Sequence, residues 1–285
     1  MPLTVAPTPP VRRIRAEAKR IIKKSAPVRL VKQGGFAGFR GVDARTGKAT
    51  GSLWRGLTKC LDGKLFSSGS LPWFPMTRAP GATKKGKKGL TTKKKGAKKG
   101  SSAGRKRGTA VDSQVTRIIN GRGAASKRRP YRLTTLALKA MAHLGLTPLM
   151  AQRGVVSPGA NLATAADVIA LDGKLRLVVL ELKCGYSGDR NAAAKHRGIA
   201  QKLKGPLKSA SDCAYHRHLS QLAATRAMLL GEDSTLAQLR EAGVKLKGPE
   251  AVRGVLLYID DNGAEAVELE PWWGDRGGRI VSACA

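Results

Sequence analysis

The sequence predicts an α/β domain with a central mixed β-sheet flanked by helices, preceded by a disordered basic N-terminal region. Three observations lead there. Residues 175–183 form a run dense enough in aliphatic side chains for a strand covered on both faces, in the middle of a sheet. Downstream of Gly108 the patterns follow the order helix, helix, hairpin, helix, hairpin, which suits a sheet with helices packed on it. The charge is also divided. The 285 residues hold 53 Lys and Arg against 19 Asp and Glu, a net +34. Residues 1–107 carry 28 basic and 3 acidic side chains, and residues 108–285 carry 25 and 16. Two regions are therefore expected, a basic arm over 1–107 and a folded domain over 108–285.

Within the first region, the basic stretch from Arg12 to Lys24 predicts a short helix, followed by isolated apolar spots such as Trp54, Leu57 and Trp73. Nine lysines lie between Lys84 and Lys99, Lys93, Lys94 and Lys95 among them, and Arg105, Lys106 and Arg107 follow with no acid interposed. Such a segment repels itself and has too little apolar surface to offset its ordering entropy, so it is expected to be disordered. It reads as a phosphate-neutralising arm or a nuclear-import signal, the bland alternative being a solubilising tail.

In the second region, Val111, Val115, Ile118 and Ile119 recur at helical spacing before Asn120-Gly121. A second helix fits residues 134–144, stopped by Gly145. Residues 166–171 and 175–183 read as strands around the turn Asp172-Gly173. A helix fits residues 214–230, and residues 252–259 and 264–269 form a terminal hairpin around Asp260-Asp261-Asn262-Gly263.

Composition narrows the function classes. The positive excess points to polyanions, nucleic acid first. Apolar stretches fall short of the ~20 residues needed to cross a bilayer, and no lipidation signal or amphipathic anchor marks a membrane surface. Four scattered cysteines suit a reducing intracellular setting, nuclear or viral if the host is eukaryotic. Aromatic residues make up 4%, too few for base stacking to be the main binding mode.

Strand period places Leu177, Val179, Glu181 and Lys183 on one face of the aliphatic run, and Val178, Leu180 and Leu182 on the other. A carboxylate and an ammonium at the end of a buried strand are expensive unless paired, hydrated or bound to a metal. Across the expected hairpin, Asp167 can approach Glu181. Two carboxylates converging beside a lysine suit a hard cation such as Mg²⁺ that activates water against a phosphate. The bland reading is a structural aspartate and an ordinary Glu–Lys pair.

Asp167, thirteen intervening residues, then Glu181-Leu182-Lys183 resembles the core motif of the PD-(D/E)XK nuclease superfamily, with Ala166 standing where a proline is usual. The stretch from Tyr215 to Thr225 is similar to the helix after the catalytic strand in the RecB-like and phage- or virus-type exonuclease branch. Gln221 matches the opening of its Q-x-x-x-Y pattern, and Thr225 replaces the tyrosine. Gly108 through Asp112 stands where that branch carries a glycine and then a metal-ligating side chain. The resemblance covers residues 108–269. It implies a restriction-endonuclease-like core and Mg²⁺ or Mn²⁺ held by Asp167, Glu181, the Leu182 carbonyl and Asp112. Lys183 would position or activate water, and Gln221 would orient the lysine, the water or a phosphate. The implied activity is phosphodiester hydrolysis, with DNA favoured over RNA. The alternative is a nucleic-acid-binding or packaging protein that keeps the fold without turnover.

Gly185 to Arg190 reads as a mobile loop. The basic residues after it, Lys195, Arg197, Lys202 and Lys204, are expected to grip phosphates beside the cleft, as is the patch Lys127, Arg128 and Arg129. Cys184, Cys213, His216 and His218 lack zinc spacing, so a partly buried cysteine and surface histidines are expected instead. Pro271-Trp272-Trp273 is expected to pack onto the domain rather than stack on a base.

Overall fold

The computed structural model describes residues 9–33, 36–43, 46, 48–67, 100–121, 129–184, 189–196, 198–248 and 251–285. Its central strand is β6 (Leu177–Cys184; labels follow chain order), the aliphatic run of the sequence. Leu177, Val178, Val179 and Leu180 are all buried. Leu177 and Val179 join one core and Val178 and Leu180 the other, as the two-residue period requires. On one side β6 pairs antiparallel with β5 (Leu162–Leu171), and on the other it pairs in parallel with β9 (Val252–Ile259). The sheet is therefore mixed. β10 (Ala264–Glu268) returns antiparallel along β9 through a turn in which Asp260 accepts from the backbone N–H groups of Asn262 and Gly263.

Beyond β5 the sheet continues further than the sequence suggests. β4 (Thr147–Ser157) runs antiparallel along nearly all of β5. β1 (Val28–Gln33), β2 (Phe36–Val42) and β3 (Ala49–Gly56) form an antiparallel meander, and β3 joins the start of β5 in parallel. Together these make an eight-stranded sheet among the described residues. The short strands β7 (Lys195–His196) and β8 (Ile199–Ala200) pair separately.

Helices cover both faces. On one side lie α3 (Gly100–Ile119) and α4 (Arg132–His143), which set Val111, Val115, Ile119, Ala137 and Met141 against Val178 and Leu180. Gly145, at φ +67°, ends α4 as its position predicts. The other face carries α5 (Ala214–Leu230) at its centre, with α1 (Pro9–Lys24), α2 (Leu57–Lys64), α6 (Asp233–Glu241) and α7 (Pro271–Cys284) around it. A Cβ at Gly277 would stand 2.5 Å from the Ala223 carbonyl oxygen, so glycine is what lets α7 lie so close on α5. Trp273 is buried at the start of α7, where the Trp-Trp segment was expected to pack. No helix among the described residues is long and apolar enough to cross a membrane.

One expectation needs correction. The fold does not begin at Gly108, and residues 1–107 are not simply an arm. Ala18, Ile21 and Ile22 of α1, Leu57 and Leu61 of α2, and Leu65 and Phe66 are buried in the same core as α5 and β6. Ile14, Ala18, Ile21 and Ile22 recur at helical spacing, and all the basic residues of α1 except the half-buried Arg15 are exposed. Charge density concealed that amphipathic pattern. Arg153 of β4, fully buried, fastens the helix. Its guanidinium donates to the carbonyls of Ile22 and Ser25 and to the Ser25 hydroxyl, and makes a two-pronged pair with Glu232 at 3.0 and 2.6 Å. The lysine-rich run with Lys93, Lys94 and Lys95 lies outside the described residues, as do Lys127, Arg128, Arg197 and residues 185–188.

Candidate active site

The site arises where two strands part. β5 and β6 pair over only four positions, Val168 to Leu171 against Leu180 to Leu177. Beyond them β5 turns to β3 while β6 stays with β9. Asp167 and Glu181 are the first residues past the last pair, one on each prong of the fork. The Asp167 carboxylate accepts the Leu182 N–H at 2.8 Å and so replaces a missing rung of the ladder. In an extended strand the N–H and C=O of one residue point to the same side, so the Leu182 carbonyl also faces the fork.

An unbroken sheet would keep the two helical layers apart. The fork opens it, and side chains from both layers meet there. Asp112 comes from α3, Gln221 from α5, and with Asp167, Glu181, Leu182 and Lys183 they line one cleft of about 370 Å³. Gly108, Thr109 and Cys184 line it too, as does Thr58 of α2. The strand-face assignment holds. Glu181 and Lys183 point to the α5 side, where Lys183 Nζ donates to Glu181 at 2.6 Å and to the Gln221 side-chain carbonyl at 3.2 Å.

Sequence reasoning missed Gln152. It sits on β4, opposite Asp167, with φ at +54°, a left-handed conformation uncommon for a residue with a side chain. Its amide donates to Asp112 at 2.8 Å and to Asp167 at 3.0 Å, spanning two carboxylates. Strain of this kind persists where surrounding structure holds it, and it gathers at functional positions. The only advance signal was a polar Gln-Arg pair between the apolar residues Leu149-Met150-Ala151 and Val155-Val156.

The electrostatics are those of crowded carboxylates. Burial, and then the charge of Asp167, push Glu181 up to about 7, against the pull of Lys183. Burial also raises Asp167, opposed by Lys183, the Leu182 N–H and Gln152. The Cys184 thiol is driven up to about 12 by burial and by the charges of Asp167 and Asp112, so it stays protonated. The oxygen donors suit a hard divalent ion, whose charge would relieve the repulsion between Asp167 and Glu181. They are not pre-assembled for one. Among the described residues no three His, Cys, Asp or Glu side chains form a metal-holding group. Glu181 is turned to Lys183, and Asp167 is satisfied by Leu182 and Gln152.

The remaining candidates fall elsewhere. Lys195, Lys202 and Lys204 are exposed and do not line the cleft, and neither does the exposed Arg129. His218 is not at the surface. It is buried, its Nδ1 lies 2.9 Å from the Tyr258 hydroxyl, and burial followed by the charge of Lys183 holds its pKa well below the ordinary value. Cys213 caps α5 by accepting the His216 N–H, and Thr225 is buried with its hydroxyl on the Gln221 carbonyl. Comparison with known protein families and with curated proteins finds no match to this chain.

Proposed function

We propose that this protein is a metal-dependent nuclease of the PD-(D/E)XK type, with a restriction-endonuclease-like core, hydrolysing phosphodiester bonds in DNA. One observation carries the reading. Asp112, Asp167, Glu181, Lys183 and Gln221, distant in sequence and drawn from both helical layers, line a single cleft at the strand fork. Asp167, Glu181, the Leu182 carbonyl and Asp112 would hold Mg²⁺ or Mn²⁺, which when bound acidifies water and offsets charge on a phosphate under attack. The chain's own groups do the rest. Lys183 presents an ammonium at the mouth of the carboxylate pair, placed to orient water or stabilise phosphate charge. Gln221 holds that ammonium from α5, and Gln152 fixes the direction of Asp167.

The Lys183–Glu181 pair is the observation that favours the second reading, a nucleic-acid binder without turnover, because it engages a carboxylate the metal would need. Incubation with labelled linear and closed-circular DNA, in Mg²⁺, Mn²⁺ or EDTA, separates the two. The nuclease reading expects cleavage that requires metal and falls at least about 10³-fold in Asp167→Asn and Lys183→Met, with DNA binding retained. Binding with no product under any metal would establish the second reading.

A further inference from the structure

A second cavity, of about 550 Å³, lies at the opposite end of β6 from the cleft. Five of its eight lining residues are cationic: Lys174, Arg176, Arg240, Lys245 and Lys247; the others are a glycine and two aliphatics. It is a built feature. The turn carrying Lys174 and Arg176 is tied to the loop after α6 by the Lys245 N–H, which donates to the Leu175 carbonyl at 2.9 Å. That loop bends through Gly243 at φ +92°, against which Ile14 of α1 is seated.

The neighbouring acid, Asp172, offsets only Arg176 among the lining cations. Asp172 is buried, and its oxygens take the N–H groups of Lys174 and Arg176 and the guanidinium groups of Arg176 and Arg253. Lys174, Arg240, Lys245 and Lys247 are exposed and make no ion pair among the described residues. Like charges held around a concavity raise the local potential and favour a polyvalent anion.

We propose that this cavity is a second binding site for phosphate groups, taken from a nucleic-acid strand. The charge of the whole chain favours that source over small anions, since a net +34 gathers polyanions by counterion release. Lys183 lies seven residue steps beyond Arg176 along extended chain, roughly 23 Å at the usual rise, so the phosphates held here are not those at the cleft. The cavity is a grip for a remote part of the substrate or for a second strand, and it does not depend on cleavage.

The test is binding of a labelled 30-base-pair DNA to the full chain by fluorescence anisotropy, in EDTA, over a salt series. Lys174→Gln/Lys245→Gln/Lys247→Gln removes three exposed charges from the cavity, and Lys23→Gln/Lys24→Gln/Lys48→Gln removes three from other exposed positions. The cavity variant is expected to bind about 10-fold more weakly at 0.1 M salt, with a salt slope shallower by about 3. The other triple variant is expected to lose less than about threefold. Equal losses in the two variants would overturn the proposal. So would unchanged DNA binding with loss of inorganic pyrophosphate binding, which would mark a small-anion site. EDTA prevents metal-dependent cleavage, so this outcome is independent of whether the cleft is catalytic.

Discussion

Replacing Arg153 with Met should destabilise the protein by roughly 3–5 kcal/mol, the cost of stripping one partner from a buried ion pair. The structure supplies the reasons. Arg153 is 0% exposed at its side chain and Glu232 9%, so the abandoned carboxylate has little water to turn to. The change also removes the donors that satisfy the Ile22 and Ser25 carbonyls, which close α1 against β4. Urea unfolding followed by far-UV circular dichroism measures the loss, read from the midpoint at constant slope. Adding Glu232→Gln to Arg153→Met removes the stranded charge and should recover about 2 kcal/mol, leaving the cost of the unsatisfied carbonyls. A single variant within 1 kcal/mol of the parent, or a double variant no better than the single, would refute this account of how α1 is held.

Other predictions follow from the same geometry. A fragment of residues 108–285 lacks Ile21, Ile22, Leu57, Leu61 and Phe66 from its core, and it should show no cooperative thermal transition where the full chain does. Gln152→Ala should reduce metal-dependent cleavage about 10- to 100-fold, as loss of a group orienting a metal-binding carboxylate does, while the unfolding midpoint moves little; unchanged cleavage would count against the clamp. Burial raises the Asp172 carboxyl, but hydrogen bonds from Arg176 and Arg253 outweigh it and hold its pKa below the ordinary value. Its stabilisation is therefore complete above its unfolded value of about 3.9 and is lost as pH falls through the lower folded value. The stability gap between parent and Asp172→Asn, measured in urea, should be constant from pH 7 to 5 and close below pH 4.

The parts of this molecule that follow local rules were legible in its sequence. The residues of α5 and the extent of β9 match the apolar patterning, and the alternation along β6 correctly placed Glu181 and Lys183 on one face. Elements whose burial depends on distant partners were not. β4 carries Gln152, Arg153 and Gly154 in mid-strand, where polar and small residues normally signal a loop. Arg153 is tolerated because α1 and α6 satisfy it, and a Cβ at Gly154 would collide with the Val28 carbonyl of β1. The glycine-containing strands β2 and β3 gave no period of their own. Asp112 was placed by family resemblance, whereas its link to Asp167 through Gln152 belongs to tertiary structure alone.

The strand fork also constrains when the cleft comes into being. One prong, β5, completes its pairing with β3 far upstream, and the other, β6, with β9 far downstream. Contacts between such distant segments form late, because the loops they close carry a large entropy cost. Without β9, β6 loses the neighbour it keeps beyond the fork, and only the pairing of β5 with β3 draws Asp167 away from Glu181. The two carboxylates are thus set by pairings that reach from Arg55 on one side of them to Ile259 on the other, so the cleft is a long-range product of the sheet and not of the hairpin that carries it.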